Sequence, residues 1–330
     1  MIRSLYHTRA GEIHTDLSLE AIGEASRDKR SLLWVNMVGG PTASDEALLR
    51  DVFGFDPLAI DDALREQHTP KLDDWGGYLL VVFNAIGLEW RGEVQARLDP
   101  LELDCFLGKH YLVTYSKQPI PVLERVWEMC LRDERHLKHG ADHLLYRIAD
   151  ELATESMASI EQMREAIDRI EEQLFDRPTP ETLERIFSLR RMALRMRRTL
   201  SPHRDVVSKL ARDDFPMIDA HDRAYFRDIY DHFVRLDYIN ENLRDLVSGA
   251  LDTYLSIVNN RMNEAMRTMA VVTTLFMPIT FLVGFFGMNH FGPAAVLDPW
   301  TSEISLAVTL GLIVIMPLLM LWWIRRRGWL

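Results

Sequence analysis

The sequence predicts an α/β cytoplasmic domain, a long helical hairpin, a stalk helix and two transmembrane helices, in that order. Three observations carry this prediction. Two apolar stretches, residues 269–288 and 304–324, are each long enough to cross a bilayer as a helix. Residues 1–120 alternate short strand-like runs with polar segments. From residue 142 the apolar spacing becomes three and four, the period of an amphipathic helix.

The first domain covers residues 1–130. Strands are expected at 32–37, 78–86, 101–107 and 111–115, with helices at 45–53 and 121–131. Gly108, Lys109 and His110 suit a short turn, with Gly108 free to adopt positive φ.

The hairpin and its connection cover residues 142–218. Leu145, Ile148, Leu152, Met157, Ile160, Met163, Ile167, Ile170 and Leu174 mark the packed face of its first helix. Pro178 breaks that helix. Thr179 then caps the next one, with Pro180 at its first position. Leu183, Ile186, Leu189, Met192, Ala193, Met196 and Leu200 continue the pattern. The stalk covers residues 219–268, and Phe226, Ile229, Phe233, Leu236 and Leu243 begin its apolar face. No proline interrupts residues 217–277. The helix can therefore run from 219 to 288, roughly 105 Å at about 1.5 Å per residue. Shorter helices kinked near Gly249 are the alternative.

The first span is placed at 269–289, the outer loop at 290–303, the second span at 304–324 and a basic tail at 325–330. Net charge is −11. From Arg261 onward, Arg261, Arg267, Arg325, Arg326 and Arg327 face Glu264, Asp298 and Glu303, a balance of +2 that leaves −13 on residues 1–260. So acidic a soluble part argues against a nucleic-acid partner. The loop between the spans has no Lys or Arg, while both flanks are basic. Both termini are therefore expected in the cytoplasm, with 290–303 outside. Cys105 and Cys130 stand far apart with no CxxC, which suits a reducing compartment. The N-terminus has no apolar core of signal-peptide length. No nucleotide-binding loop or nucleophile–base pattern stands out, so an enzyme is not expected.

Two spans cannot enclose a water-filled path alone, so any transport requires oligomerisation. Thr273, Met277, Thr280, Gly284 and Gly287 fall on one stripe of the first span. Such a stripe faces a pore or permits close helix packing, and spacing alone does not separate the two. Asn259, Asn260, Asn263 and Met266 precede it. Gly287, Met288 and Asn289 close the span, as a helix C-cap or as a ring of amide carbonyls. Carbonyls suit the water shell of a hydrated cation, which matters for magnesium because it dehydrates reluctantly.

Here the chain resembles the CorA magnesium/cobalt transport proteins, whose signature at this place is Gly-Met-Asn. Residues 274–289 (TLFMPITFLVGFFGMN), the short loop, the second span and the basic end RRRGWL all agree. So do the stretch before the span and the order of domains. The resemblance implies a CorA-like homopentamer in the lipid bilayer, with the first spans around a central pore. It implies divalent cations as cargo, Mg2+ foremost with Co2+ or Ni2+, and Mg2+ also as regulatory ligand, without another cofactor. Carried over by position, Gly287, Met288 and Asn289 form the selectivity filter. Thr280, Met277, Thr273 and Met269 line the membrane pore, and Met266 and Asn263 continue it inward. Asp252 takes the place of an acidic stalk residue that binds a regulatory divalent ion between subunits. Asp61 and Asp62 are the candidates for its N-terminal partner.

The loop departs from the family pattern. Many members carry an acidic Met-Pro-Glu-like sequence there, whereas this chain has His290 followed by Phe291, Gly292 and Pro293. The zinc-transporting ZntB branch usually has a glycine-rich continuation. His290 is a softer ligand suited to zinc, cobalt or nickel, or else an ordinary surface residue. A ZntB-type zinc transporter with proton coupling is therefore the alternative. A non-conducting membrane scaffold or metal sensor is the rival of another class.

Overall fold

The computed structural model describes residues 1–65, 68–91, 95–176, 178–287 and 303–327. The chain divides into two compact units, Met1–Asp252 and Thr253–Leu330.

The first unit is built on a seven-stranded sheet. Its strands are β1 (Ile2–His7), β2 (Ile13–Thr15), β3 (Leu32–Val38), β4 (Lys71–Asp74), β5 (Leu79–Arg91), β6 (Gln95–Leu107) and β7 (Tyr111–Ser116). They lie in the order β2-β1-β3-β7-β6-β5-β4. Among the described strands, only β3 and β7 pair in parallel, with Trp34 opposite Leu112. The four expected strands are present, and β5 and β6 extend into a long hairpin with Leu79 opposite Leu107. Three strands were not expected: β1, and the edges β2 and β4, which are short and mostly polar as exposed edges tend to be.

Gly108 corrects one expectation, since its φ is not positive. A Cβ there would collide with the Tyr111 ring. Close approach, and not backbone handedness, is what requires glycine at this turn.

Helices cover both sheet faces. On one side lie α1 (Leu19–Ala25), α2 (Ala43–Ala47) and α3 (Pro57–Arg65). Ile22, Leu49, Ile60 and Leu64 from this side join Val35, Leu80, Val82 and Phe106 of the sheet in one core. The helix expected at 45–53 is split. Thr42 caps α2 through a capping box with Asp45, and a π-helical turn, Leu48–Val52, follows.

On the other side lie α4 (Pro121–Arg132), the short α5 (Arg135–Lys138), α6 (Ala141–Asp176) and α7 (Pro180–Arg212). Trp127 of α4 packs on Trp34 with ring centroids 5.0 Å apart. Trp34 Nε1 donates to Thr114 Oγ1 at 3.0 Å, so the buried indole N–H is satisfied. Ser159 of α6 donates to the carbonyl of Ile86 at 3.2 Å. Thr179 caps α7 in a capping box with Thr182, and Pro180 opens the helix.

Helix α8 (Arg223–Gly287) runs from the first unit into the second. It begins four residues after the expected 219 because Asp219 and Asp222 form a turn, with the Asp222 N–H on the Asp219 carbonyl at 3.0 Å. Its helical path passes through Gly249 and Pro278. The early part is packed: Phe226, Ile229 and Phe233 are buried, and Asn240 Nδ2 donates to the Ala193 carbonyl of α7 at 3.1 Å. From Leu255 to Phe285 no described residue is buried. Helix α9 is Glu303–Arg326.

Candidate functional site

The second unit pairs the apolar part of α8 with α9. Both helices are long and apolar enough to cross a membrane. Within a helix every backbone N–H and C=O can pair internally, which a bilayer demands.

The polar and small residues of the first span sit on one face. At about 100° per residue, Asn263, Met266, Met269, Thr273, Met277, Thr280, Gly284 and Gly287 fall within an arc of about 120°. Asn263 and Thr273 are exposed, and Met266, Met269 and Met277 are 55%, 73% and 68% exposed. Among the described residues, nothing buries this face from Asn263 to Gly284. Within the span the stripe carries the hydroxyls of Thr273 and Thr280, and a hydroxyl that faces lipid needs a hydrogen-bond partner.

Thr280 already uses its proton. Its hydroxyl donates to the carbonyl of Phe276 at 2.9 Å. The oxygen therefore meets anything beside the helix as an acceptor. An acceptor suits a cation or the protons of its water shell, and repels an anion.

Asp252 is exposed on α8. Asp61 and Asp62 sit on α3, where each already has a cation. Asp61 pairs with Arg65, and Asp62 with Lys71 at 2.7 Å. Any divalent ion bound there competes with those side chains. Met288, Asn289, His290 and the residues that follow to 302 lie outside the described residues.

One carboxylate group was not legible in the sequence. Asp142, Asp219 and Asp222 bring oxygens within 4.8 Å of one another, although 77 residues separate the first two. Their donors explain them as structural. Asp142 accepts from the backbone N–H of Asp219 at 2.8 Å and of His143 at 3.0 Å. Asp222 lies 3.3 Å from Nδ1 of His143, and Asp219 pairs with Lys109. Burial raises the pKa of both Asp142 and Asp222 and lowers that of His143 to about 4. The group fastens the start of α6 to the turn before α8.

A soluble α/β unit joined by one continuous helix to a two-helix membrane unit defines the class. The chain belongs to the CorA-like Mg2+ transporter protein family, whose profile matches residues 29–326. Membership makes it a divalent metal ion transporter. It is 31% identical over 306 residues to the cobalt/magnesium transport protein CorA of Thermotoga maritima, covering 92% of this chain and 85% of that one. It is 29% identical over 198 residues to the zinc transport protein ZntB of Yersinia pseudotuberculosis, covering 58% of this chain and 57% of that one. The fold matches the complete structure of the CorA magnesium transporter from Methanocaldococcus jannaschii with a TM-score of 0.82. That match covers 100% of this chain and 99% of the other at 20% identity.

Proposed function

We propose that this chain forms a homopentameric channel for divalent cations, Mg2+ foremost with Co2+ or Ni2+ also passing. The carrying observation is the stripe of α8 from Asn263 to Gly284, which no described residue buries. Five copies around an axis turn that stripe inward and supply the missing cover. Asn289 forms the outer selectivity ring with Gly287 and Met288. Thr280, Met277, Thr273 and Met269 line the path, and Met266 and Asn263 extend it to the cytoplasm. The methionines narrow it with apolar side chains, a constriction that gates by excluding water.

Transport needs no ATP. A membrane potential supplies about 2.3 kcal/mol per charge per 100 mV, so a divalent ion gains roughly 4.6 kcal/mol. That is about three decades in equilibrium ratio. Both termini face the cytoplasm in this reading, and the acidic first unit senses the ion there. Asp252 holds a regulatory divalent ion together with an acidic residue of a neighbouring copy, Asp61 or Asp62. Filling the site draws subunits together and favours the closed state.

Zinc is the second reading. It rests on the ZntB likeness over part of the chain and on His290 at the outer mouth. Flux of Mg2+, Co2+, Ni2+ and Zn2+ into liposomes carrying the purified protein separates the two. Magnesium flux above zinc flux supports the first. Robust zinc uptake with negligible magnesium uptake overturns it.

A further inference from the structure

We infer that the second unit carries a binding site for an anionic phospholipid, between α8 and α9 beside the basic tail. A cavity of about 390 Å3 opens there. Thr274 of α8 faces Met316, Leu319, Met320, Trp322 and Trp323 of α9 across it. The lining is almost wholly apolar. The space far exceeds the ~30 Å3 share of one water, and a cavity without polar partners does not hold water well. A hydrocarbon chain is the occupant this chemistry fits.

The rim has a different character. Arg326 lies over the Trp322 ring at 5.3 Å, and Arg327 over the Trp323 ring at 4.9 Å. Each guanidinium is thus held beside a wall of the cavity. Among the described residues, Arg325, Arg326 and Arg327 pair with no carboxylate. They stand at the end of α9, where the helix dipole contributes about −0.5 charge. Three positive charges outweigh that, so the rim stays strongly cationic. Arginine binds phosphate in a bidentate way and gives up water readily. Trp322 and Trp323 remain 58% and 50% exposed, as tryptophans at a membrane interface do.

One molecule satisfies both halves: an acyl chain in the cavity and an anionic phosphate headgroup on Arg326 and Arg327. The second unit of another copy is a poorer fit to the rim. From Thr253 onward it brings only Glu264, Asp298 and Glu303 as carboxylate side chains. The inference requires the spans to lie in a bilayer. It does not depend on which cation is carried.

The test uses full-length protein, purified in neutral detergent and stripped of lipid. Native mass spectrometry counts bound phosphatidylglycerol and phosphatidylcholine. At about a few-fold to tenfold per arginine near an anionic surface, wild type should prefer phosphatidylglycerol by roughly thirtyfold. The double variant Arg326→Gln, Arg327→Gln should lose that preference. Arg326→Lys, Arg327→Lys keeps the charge and should retain most of it, which covers the case in which the glutamine variant does not fold. Met320→Trp fills the cavity and should weaken both lipids while leaving the arginines. Inorganic phosphate should not compete. Equal binding of the two lipids would overturn the inference, as would an unchanged preference in the glutamine variant. So would a Met320→Trp variant that alters the oligomeric state with lipid binding intact, because the cavity would then seat a second copy.

Discussion

The backbone N–H of Asn84 on β5 donates to Nε2 of His203 on α7, 3.0 Å away. The same imidazole lies against Phe83 and Phe233, with ring centroids 5.6 and 5.0 Å apart. One buried side chain thus joins the sheet, the hairpin and the packed start of α8. To accept that hydrogen bond, Nε2 must carry no proton. Burial supports this by driving the His203 pKa down to about 3.

This fixes a pH dependence. Above the ordinary value of 6.5, neither the folded nor the unfolded chain holds the second, charging proton at His203. Between 6.5 and about 3 only the unfolded chain does, so stability falls as pH falls through that window. The slope is about 1.4 kcal/mol per pH unit for one such group. His143, lowered to about 4, adds the same sign from 6.5 down to that value. At pH 7 His203→Phe should destabilise by about 1–3 kcal/mol, because the Asn84 N–H loses its acceptor, and that cost should shrink as pH falls below 6.5. The variant should thus flatten the acid slope. Melting temperatures of both proteins at pH 7 and pH 5 check this, and identical slopes would contradict it.

Thr280→Val keeps the shape of the side chain and removes its acceptor oxygen. One hydrogen bond of about 1 kcal/mol corresponds to roughly a fivefold change, so magnesium flux should fall about that much. Assembly should not change. Flux per assembled protein is the measurement, and a wild-type rate would remove Thr280 from the path.

Asp252→Ala should weaken inhibition by internal magnesium. With the proposed acidic site empty, like charges should lie close together and loosen the closed state. Flux recorded against internal magnesium gives the inhibition curve. A curve that does not move would take Asp252 out of the regulatory site.

Much of the fold was legible because burial imposed a period. The stripes of α6 and α7, the Thr179 cap and the second span follow directly from spacing. Strand β1 and the short edges β2 and β4 were not: the apolar residues of β1, Ile2, Leu5 and Tyr6, do not alternate, and β2 and β4 hold one apolar residue each, too few to set a period. The start of α8 was misplaced because Asp219 serves a turn whose anchor, Asp142, is remote in sequence. The candidate path was legible as a stripe, and the structure adds that among the described residues nothing buries it from Asn263 to Gly284. The oxygen of Thr280 as an acceptor required coordinates, since spacing does not say where a hydroxyl sends its proton. The cations on Asp61 and Asp62 were likewise invisible, because Lys71 reaches α3 only through the fold.

His290→Ala separates the substrate readings. If zinc is the main cargo and His290 binds it, zinc flux should fall far more than magnesium flux. With magnesium as cargo, the two fluxes should change alike and little.

The central claim is that cations pass a ring of Asn289 amides under the membrane potential alone. Its most direct test compares wild type with Asn289→Ala in liposomes holding an inside-negative potential, at equal protein level and assembly. Wild type should take up magnesium without ATP, and the variant should lose most of that uptake, because a methyl cannot accept from the ion's water shell. No uptake by wild type, as a non-conducting scaffold would give, or full uptake with unchanged selectivity by the variant, would contradict it.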